Sequence, residues 1–328
     1  MRDYVIRRLI QLVPLIIIVS VLIYGIIDLA PGDPLEQLLL DPDFTMEDLA
    51  RLEQIYGVGG PFPERWAKWF WRLIRYQDLG VARFHPYPVW DLIVERVPIT
   101  LRLSILAMSV SLLVAVPLGI FSAKRQYSSW DNFFTGLAFM GRSMPTFWFG
   151  IMLILIFGIY LGGTPLELPM GNLTSIIFTE GVPWITLQLD AAKHLILPVL
   201  VLGLAGMTGW TRYVRSTLLE VLRMDYIRTA RAKGLSERVV IWKHAIRNVL
   251  IPLITLVALA LPGLFAGAII TETIFAIPGM GRLIFSAVIS KDFSLAVGAL
   301  TFLCFLTIAS NLLADILYAV VDPRVRYR

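Results

Sequence analysis

One cysteine, Cys304, and three histidines, His85, His194 and His244, are all the thiol and imidazole chemistry in 328 residues. A lone thiol cannot close an intramolecular disulfide, and it leaves the redox compartment unread. The histidines lie far apart with no carboxylate or thiol at ligand spacing, which argues against a metal centre. Charge is equally scarce: 16% of residues are charged against 57% hydrophobic, with a mean hydropathy of +0.73. Such a chain cannot clothe a soluble domain with a solvated surface, so it belongs in a bilayer. The sequence also lacks G-x-x-x-x-G-K-[ST], G-x-S-x-G and H-E-x-x-H, which excludes a phosphate-cradling loop and the usual hydrolytic centres. A membrane-embedded enzyme would need a polar cluster at one depth, and scattered histidines with a single cysteine do not supply it. Energy for vectorial work must then come from ATP on another chain or from an ion gradient.

What is abundant is apolar length. A helix needs about 20 mostly apolar residues to cross the hydrocarbon. Stretches 9–30, 99–123, 133–162, 194–217, 250–272 and 295–320 meet that need, so six spans are expected. The first follows Arg2, Arg7 and Arg8 but exceeds a signal-peptide core in length, and no small-residue cleavage site follows Pro31. It reads as an uncleaved anchor.

Lys and Arg set the orientation. They collect at the N-terminus, in the 124–132 loop (Lys124, Arg125), through 212–249 and at the C-terminus (Arg324, Arg326, Arg328). In a six-span chain all of these fall on one side, so both termini are expected in the cytoplasm. Residues 31–98 then form an outer segment. Within it, Trp66, Trp69, Phe70, Leu73 and Ile74 recur on one helical face, with Arg65, Lys68, Arg72 and Arg75 on the other. An amphipathic helix over about 64–77 is predicted, resting either on headgroups or on the protein's own spans. Neighbouring Glu47, Glu53, Glu64 and Asp78 offset its charge, which excludes a nucleic-acid surface.

The stretch from Asp225 to Pro252 is basic and polar between two apolar runs. A short helix is expected to end at Gly234, whose missing side chain permits the backbone a helix terminus needs. A second helix follows from Ser236 as N-cap towards Asn248, and Pro252 falls in the first turns of the fifth span. Positive-inside bias explains the Lys and Arg here but not a helix pair broken at a glycine.

This loop, D-Y-I-R-T-A-R-A-K-G-L-S followed by the I-P at Ile251-Pro252, resembles the cytoplasmic loop of ABC-importer permeases. So do S-M-P-T-F-W-F-G (Ser143 to Gly150), T-E-T-I-F-A-I-P-G-M-G-R-L (Thr271 to Leu283) and the tail N-L-L-A-D-I-L-Y-A-V-V-D-P-R-V-R-Y (Asn311 to Tyr327). The opening R-R-L-I-Q-L-V-P and the outer D-L-G are similar to the first-named, dipeptide permease B type, subunit of the oligopeptide/dipeptide/nickel branch. Where the wider family has Glu-Ala-Ala, this chain has Arg228-Thr229-Ala230, so a salt bridge built on that Glu does not carry over.

The resemblance implies an all-α polytopic membrane protein with six transmembrane helices in a prokaryotic plasma (inner) membrane. It divides the chain into an anchor helix plus outer segment, 1–98, and a five-helix permease core, 99–328, with a coupling loop at about 218–249. It implies as partners a homologous second permease subunit, two ATPase subunits that hold ATP and Mg, an extracytoplasmic substrate-binding protein and membrane lipid. No cofactor, metal or catalytic residue is expected on this chain. The coupling loop would comprise Asp225, Arg228, Thr229, Ala230, Gly234, Leu235 and Ser236. Peptides are the expected substrate, with nickel, glutathione-like peptides and oligosaccharides as alternatives used in the branch. The rival class is a stand-alone ion-driven carrier, against which the chain shows no inverted repeat.

Charges near or inside the spans single out Arg142, Glu272 and Asp315 as candidates for a gate or translocation path. Arg142, about ten residues or 15 Å into the third span, either pairs with Asp315 or snorkels to headgroups.

Overall fold

The computed structural model describes residues 2–29, 60–83, 87–175, 182–265 and 268–321. Among them the only extended pairing is an isolated antiparallel bridge, Val81 to Pro88; the rest is helix and connecting turn. The helices are α1 (Arg2–Asp28), α2 (Phe62–Tyr76), α3 (Val89–Lys124), α4 (Ser129–Ser143), α5 (Thr146–Tyr160), α6 (Trp184–Val221), α7 (Asp225–Ala232), α8 (Glu237–Phe265), α9 (Ile269–Ile274), α10 (Met280–Ile289) and α11 (Phe293–Val321). Five of them, α1, α3, α6, α8 and α11, are long and apolar enough to cross a membrane.

Two expected spans are built differently. The run 133–162 is not one helix but two pieces, α4 and α5, broken at Met144-Pro145. Proline has no N–H and holds its predecessor out of the helical region, so a helix ends before it and a new one starts after it. From Ile154 to Tyr160 the second piece widens to i→i+5 bonding. The fifth span ends at Phe265 rather than 272, which leaves Glu272 on the separate short helix α9. At its other end α8 begins at Glu237, so the expected second loop helix and the fifth span are one helix, and Pro252 lies inside it rather than in its first turns.

The chain forms two compact units. One comprises residues 1–100, 265–269 and 278–313; the other comprises 101–264, 270–277 and 314–328. The boundary expected at residue 98 falls inside α3.

In the first unit the core gathers Leu79, Val89, Ile93, Met280, Ile284 and Ala299, with Trp69 and Leu73 of α2 packed against it. Buried Tyr24 of α1 meets the rings of Phe62, Trp69 and Phe293, with centroids 5.8, 5.7 and 5.0 Å away. Arg65 of α2 clamps Asp28 through two hydrogen bonds of 2.6 and 2.8 Å. The aromatic face of α2 therefore rests on the protein, while Trp71, Ile74 and Tyr76 stay exposed.

In the second unit, close backbone approach joins α3 to α6. A Cβ at Gly119 would lie 2.8 Å from the Val214 side chain, and one at Gly203 would lie 3.3 Å from the carbonyl oxygen of Ala107. Inside a bilayer helices gain little from burying apolar surface, so contact of this kind, through small residues, carries the packing.

Candidate coupling site

The basic loop folds as a helical hairpin in the second unit. α7 begins after Met224, whose backbone is extended, and carries Asp225 in its first turn, where a negative charge suits the helix N-terminus. Ile227 and Ala230, one turn apart, are its buried residues. They join a cluster with Val214, Leu218 and Val221 of α6, Val240, Ile241 and Ala245 of α8, and Ile120 and Ala123 of α3. At the aqueous end of a span, burial of this kind regains the full hydrophobic gain, about 1.5–3 kcal/mol for a side chain the size of Ile. The opposite face of α7 presents Asp225, Tyr226, Arg228, Thr229 and Arg231 to solvent.

The helix stops as its sequence predicts. Gly234 takes φ +74°, a conformation that a side chain makes costly. Its N–H donates to the carbonyl of Arg231 at 2.9 Å, and that of Leu235 donates to the carbonyl of Ala230 at 3.4 Å. These two bonds make a Schellman ending, which satisfies carbonyls that the helix terminus would otherwise leave open. Ser236 then occupies the N-cap of α8 with an extended backbone, and its carbonyl accepts the Val240 N–H at 3.0 Å. Its hydroxyl makes no cap bond, so the expected position holds and the expected contact does not.

Across the turn, Arg231 donates two hydrogen bonds to Glu237, of 3.1 and 2.8 Å. The carboxylate holds the Arg231 guanidinium above its usual range. Nothing in the sequence singled out this pair, although a base and an acid six residues apart around a glycine turn are within reach of one another. By contrast Arg228 meets Asp225 at 3.4 Å with both side chains largely in water, a contact worth little. Thr229 returns its hydroxyl to the carbonyl of Asp225 at 3.0 Å. The expected set thus divides: Ala230 anchors the hairpin, Gly234 turns it, and Asp225, Arg228, Thr229, Leu235 and Ser236 are exposed.

Sequence reasoning also missed a buried ion pair at the foot of α4. Asp131 accepts two hydrogen bonds from Arg215 of α6, at 3.1 and 2.7 Å, and one from the Tyr127 N–H at 3.0 Å. The Arg215 bonds hold its carboxyl below the usual carboxylate range against the opposing effect of burial. The pair borders a cavity of about 680 Å³ that Asn132, Thr135, Arg212 and Tyr213 also line.

Of the gate candidates, Glu272 is fully buried on α9, and its carbonyl accepts the Ile277 N–H at 2.8 Å. Asp315 is half-buried on α11. The Arg142 side chain, and with it the proposed pair to Asp315, lies outside the described residues, as does the tail after Val321. Among the described residues no group of His, Cys, Asp or Glu could hold a metal.

A multi-span helical protein with a Gly-turned basic hairpin defines a class, and comparison places the chain within it. The family model described as "Binding-protein-dependent transport system inner membrane component" matches residues 115–327. The chain belongs to this family of ABC-importer permeases, multi-pass proteins of the inner membrane. Over 331 residues it is 37% identical to the oligopeptide transport system permease protein AppB of Bacillus subtilis, with all of both chains covered. Over 342 residues it is 35% identical to the dipeptide transport system permease protein DppB of Escherichia coli K12, again with full coverage. A solved structure of the MetNI methionine ABC transporter in an inward-facing conformation superposes with a TM-score of 0.53 at 17% identity, covering 71% of this chain and 97% of that one. At that identity the likeness speaks for the fold alone.

Proposed function

We propose that this chain is one of two permease subunits in an ATP-driven, binding-protein-dependent importer of di- or oligopeptides. Its partners are a homologous permease, two ATPase subunits on the cytoplasmic side and an extracytoplasmic binding protein. Both termini and the α7–α8 hairpin face the cytoplasm, in keeping with the collection of Lys and Arg in those segments. The observation that carries the coupling role is the hairpin itself. α7 is anchored by Ile227 and Ala230, closed by a Schellman turn at Gly234 and clamped by Arg231 to Glu237, so it moves with α6 and α8 while its outer face stays free for a partner. An ATPase that closes on ATP would push this rigid body, and the spans would pass the motion on as a shift between inward and outward openings. Full-length similarity to an oligopeptide and a dipeptide permease supports peptides as the substrate.

The test is reconstitution of the chain in proteoliposomes with its partner permease, ATPases and peptide-loaded binding protein. Uptake of labelled peptide should require ATP and every subunit. Uptake by this chain alone, abolished by collapsing an ion gradient, would overturn the reading in favour of a carrier.

A further inference from the structure

In the first unit an apolar slot of about 500 Å³ opens between α1, α2 and α11. Val13, Ile16 and Ile17 line it on α1, and Phe305 and Ile308 on α11. Both helices belong to the membrane-crossing set. Its hydroxyl and amide groups are those of Ser20, Gln77 and Thr301, with Ser20 and Thr301 each at one end of the stretch its helix contributes. From Ser20 to Val13, and from Thr301 to Ile308, the slot runs about 10 Å along each helix. That is roughly two-thirds of the ~15 Å hydrocarbon depth of one leaflet. Thr301 is 8% exposed, and its hydroxyl has no hydrogen-bond partner although it borders the slot.

A second, polar cavity of about 350 Å³ continues from this end, sharing Gln77, Leu79 and Trp90 with the slot. It is lined by Asp78 and Asp91. Arg72 donates to Asp78 at 3.0 Å from its Nε, so that carboxylate already has a cationic partner while Asp91 is exposed. The joint site has a long apolar end and, next to it, a recess whose charged lining is two carboxylates, of which Asp78 is already paired with Arg72. A peptide helix from a neighbouring subunit would match the first part only. A lipid with an ammonium headgroup matches both: its acyl chain fills the slot, its ester region reaches the unpaired Thr301 hydroxyl, and its ammonium faces Asp91.

We propose that this paired cavity is a binding site for one bilayer phospholipid with an ammonium headgroup, of the phosphatidylethanolamine class. The lipid would wedge α2 against α1 and α11. The site is independent of the substrate assigned above and would stand if that substrate were wrong.

The experiment uses the assembled transporter in nanodiscs containing phosphatidylethanolamine with a diazirine in its acyl chain, compared with phosphatidylglycerol carrying the same chain. After irradiation, peptide mapping should place the ethanolamine label on residues 13–20 or 301–308, about fivefold above the glycerol lipid, as one exposed charge contact of about 1 kcal/mol allows. Cys304→Trp fills the slot and should abolish that label while leaving ordinary lipid labelling at exposed Leu113 unchanged. Asp91→Asn is a surface change that leaves the fold intact and should erase the preference between lipids. Equal labelling at the slot and at Leu113 by both lipids would reduce the slot to ordinary lipid-facing surface. Cross-links from the slot to the second permease in place of lipid would assign it to that subunit. Either result overturns the proposal.

Discussion

α2 and α7 are both short amphipathic helices fastened by an apolar face and a two-bonded Arg–carboxylate pair, yet they place that pair oppositely. In α2 the pair is Arg65 with Asp28, and the two side chains are only 15% and 17% exposed. It ties the helix to the end of a span, beside the edge-on contact of Tyr24 with Phe62 and its tilted contact with Trp69. In α7 the pair is Arg231 with Glu237, 43% and 56% exposed, and it ties the helix only to the start of its own hairpin partner. What remains exposed differs as well: Trp71, Ile74 and Tyr76 interleaved with Glu64, Lys68 and Arg75 on α2, against Asp225, Arg228 and Thr229 on α7. A face that mixes aromatic and charged side chains suits the headgroup layer, and one without large apolar groups beyond Tyr226 suits water or a soluble protein. The two helices share a way of docking and differ in what they show. α2 is fastened to a span by a covered pair, and α7 keeps both its pair and its outer face in water.

The comparison breaks most severely at Gly234. Val there must adopt positive φ, which is nearly closed to a β-branched residue. The Schellman bonds would be lost and the outer face of α7 re-aimed. We expect peptide uptake to fall at least about tenfold, since a misaligned coupling contact worth about 1.4 kcal/mol already gives that factor, while the chain still inserts and assembles. ATPase stimulation by loaded binding protein is the decisive measurement. If Gly234→Val leaves it normal, α7 is not the coupling element.

Next in size is Ile227→Ala. Ile227 is fully buried among residues of α3, α6 and α8, and removing three carbons from such a site costs about 2–5 kcal/mol. The loss falls on hairpin docking rather than on the spans. It should appear as faster hydrogen exchange across Asp225 to Ser236 and as weaker co-purification of the ATPases. An unchanged exchange pattern would mean that α7 is held by its turn and ion pair instead.

A middle-sized effect is expected at Asp131. Asp131→Asn leaves part of Arg215's hydrogen bonding intact but removes the charge, so a loss of about 1–3 kcal/mol is expected. Because the folded carboxyl titrates below its ordinary value, its stabilisation is complete above the unfolded value of about 4 and disappears as pH falls through the lower folded value. The melting difference between the native complex and Asp131→Asn should therefore be flat from neutral pH down to about 5 and shrink only in stronger acid. A difference that widened on acidification would contradict the pairing.

These predictions draw unequally on what the sequence discloses. Long apolar runs and a lone glycine in a basic stretch are strong local signals, and they foretold α1, α3, α6, α11 and the turn at Gly234. Hydropathy averaged over 133–162 hid the break at Pro145, although S-M-P carries its own local sign of a helix end. The same averaging carried the fifth span past Phe265 to Glu272. At the other end, polar residues 237–249 hid the fact that α8 is continuous with its span: an aqueous turn of helix looks like loop to a hydropathy scale. The ion pairs were unreadable for a different reason. Arg215 and Asp131 are distant in sequence, and their meeting depends on how α4 packs against α6. The docking of α2 was open because periodicity marks an apolar face without saying what covers it.

The smallest predicted effect, that of Arg231→Gln, also gives the sharpest test of the contrast between α2 and α7 when set beside Arg65→Gln. Both ion pairs have two hydrogen bonds of similar length, so geometry alone would rank Arg65→Gln and Arg231→Gln alike. Burial ranks them apart. Removing Arg65 strands Asp28 in a largely dehydrated site, at a cost of about 2–3 kcal/mol. Removing Arg231 leaves Glu237 facing water and should cost no more than about 1 kcal/mol. Salt separates them further, because mobile ions screen the exposed pair and scarcely reach the covered one. Thermal melting of the purified complex at low and high ionic strength gives both comparisons. The Arg231→Gln penalty should fade in high salt, and the Arg65→Gln penalty should persist. Equal penalties with equal salt dependence would show that the two clasps are energetically the same, and that α7 is as firmly built into the scaffold as α2.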